Sequence, residues 1–309
     1  MPECKRLCSL VLAIALMSVA KLAAATMAVG HIQPDATGDE RDAYFLDMLE
    51  LALALTEEDY GAYRLVEAPL QMNQSRAIRE MLTGRHLDVI WSMTDVEREA
   101  RMHPIRIPLY KGLLGVRVPL VRADDVELLA SVSTLAELQA YRPGQGHDWP
   151  DTDILRANGI PVETSASYEG LFRMLSQGRM DYLPRSVVEI WAEREMYDQF
   201  ELLPGQGPLI AYPAPIYFFV APDNRILAER IEVGLERAID TGAFQTLFES
   251  HPANRVAIDQ FLSSERPIIW LDNPSLPKKT PLDEQALWFD PVFRYRHMLQ
   301  WRFDPGEVE

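Results

Sequence analysis

The sequence predicts an α/β fold divided into two lobes, and three observations carry that expectation. At 309 residues the chain exceeds one typical domain. From residue 26 onward, short apolar runs alternate with segments of helical period. A helix-turn-strand unit also occurs twice, as LTGRHLDVIWSMT (82–94) and as LSQGRMDYLPRSV (175–187). Each copy ends a helix at Gly-Arg and continues through an aspartate and a short strand to a polar tip. Glycine suits the left-handed position after a helix, and the arginine beside it can meet the last carbonyls. Aligning Asp88 with Asp181 sets Trp91 opposite Pro184 and Ser92 opposite Arg185. Ligands of open α/β sheets bind at the carboxyl ends of parallel strands, so two such tips facing each other would form a cleft between lobes.

Along the chain, residues 1–25 read as a signal peptide. Lys5 and Arg6 give a positive start, residues 10–20 an apolar core, and Ala23-Ala24-Ala25 a cleavage site. The alternative is an uncleaved anchor, but the apolar run is short and Lys21 interrupts it. Helices are expected over 44–56, 75–82, 134–140, 151–158, 168–176 and 225–240, where Ile226, Ile231, Leu235 and Ile239 mark one face. Strands are expected over 87–91, 113–121, 182–183 and 216–220. These elements place one lobe over 26–121 and 211–262 and the other over 122–210. The Pro- and aromatic-rich segment 263–309 reads as a wrap over the surface.

Composition narrows the function. Apolar residues make up 48% and charged residues 25%, an ordinary globular balance. Both cysteines, Cys4 and Cys8, precede the apolar core, so a chain cut after Ala25 contains none, which suits an oxidising compartment. Thiolate zinc sites and cysteine nucleophiles are thereby excluded from the mature chain. The cut also removes three positive charges and one negative, taking the net charge from -16 to -18. Such an acidic body is a poor partner for nucleic acid or anionic membranes. No Gly-x-Ser-x-Gly elbow, phosphate loop or His-Glu-x-x-His occurs, and the six histidines show no metal-ligand spacing. Neither a cofactor nor a metal is expected.

The candidate site residues gather at the two tips and one loop. Arg98 offers a planar fork for a carboxylate or phosphate, or else an ion pair with Asp95, Glu97 or Glu99. Arg185 either meets an anion or pairs with Glu189, four residues on. Trp91 and Tyr44 are ligand platforms or core, while Ser92 and Thr94 supply hydroxyls. The loop Gln145, Gly146, His147, Asp148 and Trp149 is either an anion site ahead of a helix or a turn capped by Asp151.

The order of these pieces resembles the family 3 periplasmic solute-binding proteins, the type II periplasmic binding protein fold. The matching stretches are YFLDMLELAL, AIREMLTGRHLDVIWSMTDVER with the following IPLY, STLAELQAY, LFRMLSQGRMDYL and AERIEVGLERAIDTGAFQTLF. Within the family it looks most like an exported subgroup with unassigned ligands, marked by GQGHDWPDTDIL and DYLPRSVVEIW. The resemblance implies two crossings between lobes, near 120–124 and 209–213. It also implies a role for Arg98, since an arginine in a Thr-x-x-Arg motif grips the ligand carboxylate in the amino-acid binders. Here Asp95 stands at the threonine position, and Arg185 and Ser186 stand where an amino-binding aspartate is usual.

The expectation is therefore a monomeric periplasmic receptor closing over a small anionic or zwitterionic ligand, for an ABC-type permease or a membrane sensor. Two other classes compete. Some proteins of this fold resemble dehydratases of cyclic acids, which would need Asp148 or Glu189 as general acid beside Arg98. A structural adaptor with an empty cleft is the third.

Overall fold

The computed structural model describes residues 26–33, 40–262 and 264–289. The expected signal peptide and the end of the expected wrap lie outside the described residues.

The first lobe is built on two small sheets. Strand β1 (Met27–His31) pairs in parallel with β2 (Tyr63–Glu67). Strand β11 (Ile216–Val220) lies antiparallel between β3 (Val89–Met93) and β4 (His103–Ile105). Every residue of β3 and β11 is buried, which is why both read as continuous apolar runs and not as alternating ones. Helix α1 (Glu40–Ala54) packs on α7 (Arg225–Asp240). Gly234 lets them touch, since a Cβ there would lie 2.1 Å from the Ala52 carbonyl oxygen. The buried Arg230 guanidinium donates to the Leu53 carbonyl at the end of α1 (3.1 Å) and to the Gly61 carbonyl after the helical turn 57–60 (2.8 Å).

The second lobe holds a sheet in the order β12-β10-β5-β8, with β9 also on β5. Its members are β5 (Val116–Arg122), β8 (Leu183–Ser186), β9 (Leu202–Pro204), β10 (Leu209–Ala211) and β12 (Ile268–Trp270). Strands β6 (Gly144–Gly146) and β7 (Glu163–Ser165) form a parallel pair beside it, tied by the Gly144 N–H to the Tyr182 carbonyl at 2.9 Å. Helices α2 (Gln74–Leu82) and α3 (Val96–Arg101) belong to the first lobe. The second lobe adds α4 (Pro150–Ala157), α5 (Tyr168–Ser176) and α6 (Ile190–Met196). Helices α8 (Ala243–Ser250) and α9 (Pro252–Leu262) follow α7.

Two expectations move. Strand β5 pairs with the second sheet from Val116 on, so the change of sheet occurs over 106–115, ahead of the expected 120–124. An apolar run shows that a strand is buried, but not which sheet it joins. The return lies between Ala211 and Ile216. The segment after α9 is also more than a wrap, because β12 adds a parallel edge strand to β10.

The repeated unit is a structural repeat. Gly84 and Gly178 both adopt positive φ, +62° and +70°, just after α2 and α5. The bonds back to the helix ends come from backbone N–H groups, Gly84 to Met81 and Gly178 to Leu175. Asp88 accepts the Gly30 N–H at 2.7 Å and donates its own N–H to the Gly30 carbonyl at 2.8 Å. Asp181 does the same with Arg142, at 2.7 and 2.8 Å. In each lobe the aspartate locks its strand to the neighbouring chain segment.

Candidate functional site

A cavity of about 370 Å³ lies between the two sheets, in the usual range for small-molecule sites. The first lobe lines it with Asp42, Phe45, Trp91, Ser92 and Tyr110; the second with Arg117, Asp148, Trp149, Tyr168, Arg185 and Glu189. Both tips of the repeat therefore reach one space, as the sequence suggests.

The first-lobe wall is aromatic. Trp91 stacks on Phe45 with ring centroids 5.2 Å apart, and its Nε1–H donates to Asp42 Oδ1 at 3.2 Å. Beside it the Ser92 Oγ is buried with no partner among the described residues. Tyr44 is a correction. Its ring is fully buried, stacks on Tyr110 at 4.8 Å and donates its hydroxyl to the Leu109 carbonyl at 2.6 Å. Burial pushes its phenol well above the ordinary pKa. Phe45 takes the wall position instead, since one step along a helix turns the side chain by about 100°. Thr94 is likewise structural: it is buried and donates to Glu99 Oε1 at 2.9 Å.

Of the two expectations for Arg98 the structure shows the ion pair, with Asp95, and adds contacts that the sequence does not suggest. Asp95 caps α3 through its Oδ1 and accepts from Arg98 Nη1 with its Oδ2, both at 2.7 Å. Arg98 Nη2 donates to Gln74 Oε1 at 2.9 Å and crosses the cleft to the Asp148 carbonyl at 3.0 Å. Arg98 is not among the residues that line the cavity. The Asp148 carboxylate returns the contact, accepting the Ser75 N–H at 3.2 Å and Oγ–H at 2.9 Å at the start of α2. Together they join the lobes at the mouth.

The second-lobe wall is charged. Arg185 Nε and Nη2 donate to the two Glu193 oxygens at 2.7 Å each, and Nη2 lies 3.0 Å from Glu189 Oε2. Its guanidinium sits 5.0 Å over the Trp149 ring, which itself stands on Tyr168. Tyr168 also donates to Glu193 in a very short hydrogen bond. Arg117, which the sequence reading missed, bonds Asp151 at 2.5 Å and Glu189 at 3.2 Å. Burial opposes the charge on both arginines. At Arg117 it is outweighed by Asp151, Tyr212 and Glu189, and at Arg185 by Glu189 and Glu193, so both pKa values rise. The signal for Arg117 was present as a lone charge in the apolar run VRVPLV. Asp151 does not cap α4, which Trp149 and Pro150 begin; its carboxylate serves Arg117 and the Tyr212 hydroxyl instead.

The expected loop is divided in the same way. Gly146, Asp148 and Trp149 line the cavity. Gln145 is fully buried behind the wall, and neither end of its amide has a partner among the described residues. The His147 side chain is 45% exposed, 3.8 Å from Asp148 Oδ1 and off the cavity wall. Four lining carboxylates (Asp42, Asp148, Asp151, Glu189) thus stand against two lining guanidiniums, and each guanidinium is already held by carboxylates of the protein. No group of three or more His, Cys, Asp or Glu among the described residues is arranged to hold a metal ion.

No protein-family model matches the chain, and no curated protein matches it. Solved structures do. An arginine-specific periplasmic binding protein of Salmonella typhimurium matches at 14% identity and a TM-score of 0.55, over 73% of this chain and 99% of its own. An ancestral arginine-binding protein, solved with arginine, matches at 17% identity and 0.53, over 74% and 98%. A histidine kinase sensor domain similar to periplasmic binding proteins matches at 16% and 0.53, over 74% and 97%. At such identities the likeness carries the fold, and the chain has the two-lobed fold of the type II periplasmic binding proteins.

Proposed function

We propose that this chain is an exported solute receptor whose lobes close over a small zwitterionic ligand. The observation that carries the reading is the cavity lined from both sheets, with Arg98 and Asp148 already joining the lobes at its mouth. Of the two ligand classes the sequence suggests, the charge pattern favours the zwitterion over the anion. Arg185 and Arg117 meet protein carboxylates first, so an added anion would face Glu189 and Asp151 as well. A zwitterion sets its cationic end toward Asp42, against the Trp91 and Phe45 rings, and its acidic end toward Arg117. The neighbours' ligands point the same way: their names include an arginine-bound receptor of an amino acid ABC transporter from Streptococcus pneumoniae. Closure presents a changed surface to a permease or, as in the kinase sensor domain, to a signalling partner.

The neighbours are binding proteins, and the carboxylates an enzyme would need are spent on structure. Asp148 holds Ser75, and Glu189 holds Arg117, Arg185 and the Ser186 N–H. A thermal-shift panel of amino acids, dicarboxylates and polyamines tests the reading. Zwitterions at about 100 times their dissociation constant should add roughly 2.7 kcal/mol of stability. Stabilisation by dicarboxylates alone would overturn it.

A further inference from the structure

The segment after α9 passes between the lobes again, reaching the second sheet at β12 and returning to the first lobe by Ser275. In the second lobe β12 pairs with β10, and the Asn158 amide clasps the Asp272 backbone at both ends. Its Nδ2 donates to the Asp272 carbonyl at 2.8 Å, and its Oδ1 accepts the Asp272 N–H at 3.0 Å. The next residue, Asn273, donates to the Pro213 carbonyl in the return crossing at 2.8 Å. Two residues later the Ser275 carbonyl accepts the Val96 N–H at 3.0 Å, in the first lobe, on the same helix that carries Arg98. Farther on, Lys111 Nζ in the first crossing donates to the Ala286 carbonyl at 2.7 Å, and the Phe289 N–H to the Lys111 carbonyl at 2.8 Å. Phe289 then packs on Phe248 of α8, 6.1 Å between ring centroids.

We propose that residues 264–289 act as a brace that limits how far the lobes open. The physical reason is reach. Asp272 is fixed to one lobe and Ser275 to the other, and three extended residues span at most about 11 Å. Val96 and Asn158 cannot move farther apart than this link allows unless the Asn158 clasp or the Ser275 contact breaks. The two crossings leave a hinge free to rotate. A braced link beside the return crossing and tied to α3 makes wide opening cost the hydrogen bonds at one of its ends. The ligand-free receptor therefore stays near its closed shape, and binding draws on a small motion. This goes beyond the proposed function and is tested without any ligand.

The test is electron–electron resonance distance measurement in ligand-free protein, with Cys4 and Cys8 replaced by serine. Spin labels go on Arg79→Cys and Gln177→Cys, exposed positions on α2 and just past α5. The unaltered brace should give one narrow distribution. Inserting Gly-Ser-Gly-Ser after Pro274 keeps both attachments and adds up to about 13 Å of reach, so a longer, broader population should appear. Asn158→Ala should produce a smaller shift, because Leu271 stays bonded to the Ala211 carbonyl, and raised amide exchange at Asp272 beside a protected Leu271 would show the release. A broad, long distribution in the parent with these amides protected would overturn the proposal. So would a parent-like distance in the insertion variant, which keeps the Asn158 and Val96 attachments and gives up only the turn bonds of Ser275 and Leu276 to Asn273.

Discussion

The two lobes use the same framework and finish it differently. After α2 and after α5, a left-handed glycine reverses the chain and an aspartate locks the next strand, through Gly30 in one lobe and Arg142 in the other. At the tips the correspondence ends. The first lobe presents Trp91 and Ser92 among aromatic rings, and the second presents Arg185 inside a cage of Glu189, Glu193, Tyr168 and Trp149. Each lobe has an arginine near the cleft, but Arg185 is neutralised wholly within its own lobe whereas Arg98 reaches across to the other. The repeated unit thus fixes where a strand ends. The chemistry of its end is set by whichever side chains pack there, so likeness of framework carries no likeness of site.

The largest effect should come from breaking the second-lobe cage. Glu193 is fully buried and takes two hydrogen bonds from Arg185, so Glu193→Ala leaves a buried guanidinium with part of its partners gone. A loss of about 3–5 kcal/mol in urea unfolding is expected, as for other broken buried pairs. The counterpart in the first lobe, Asp95→Ala, removes a helix cap and a less buried pair, and should cost about 1–2 kcal/mol. Equal losses would show that the two arginines are held alike.

An intermediate effect tests the framework itself. Asp88→Ala and Asp181→Ala each delete a carboxylate bonded to a backbone N–H at 2.7 Å, and each should cost about 1.5–3 kcal/mol in the same measurement. If one substitution is neutral, the two copies do not do the same work. The smallest effect belongs to the mouth. Asp148→Ala removes the hydrogen bonds to Ser75, and its stability cost should stay near 1 kcal/mol. X-ray scattering should nevertheless show a larger open fraction, and an unchanged profile would mean that this contact does not help hold the lobes together.

Much of the framework was legible in local sequence because local physics produces it. Apolar period placed α1, α5 and α7, the buried runs placed β3 and β11, and Gly-Arg followed by aspartate marked both turns. Trp91 and Arg185 were legible as cavity candidates because each stands in the strand after a repeated turn, and Asp148 and Trp149 because they lie in the loop before a helix. Tyr44 was misplaced because helical spacing alone does not fix which of two adjacent aromatic rings faces the ligand space and which faces Tyr110. For Arg98 the sequence offers both a ligand anion and the nearby Asp95, and it does not show Gln74 and Asp148, which lie 24 and 50 positions away. Sequence by itself determined the α/β class, the repeated turn and the acidic body, since these follow from period, backbone conformation and composition. Only the tertiary structure decided which sheet β5 and β12 join, which carboxylate neutralises each arginine, and that the chain after α9 reaches the second sheet and returns. Those outcomes depend on contacts between distant residues, where burial makes each charge choose a partner that no local pattern names.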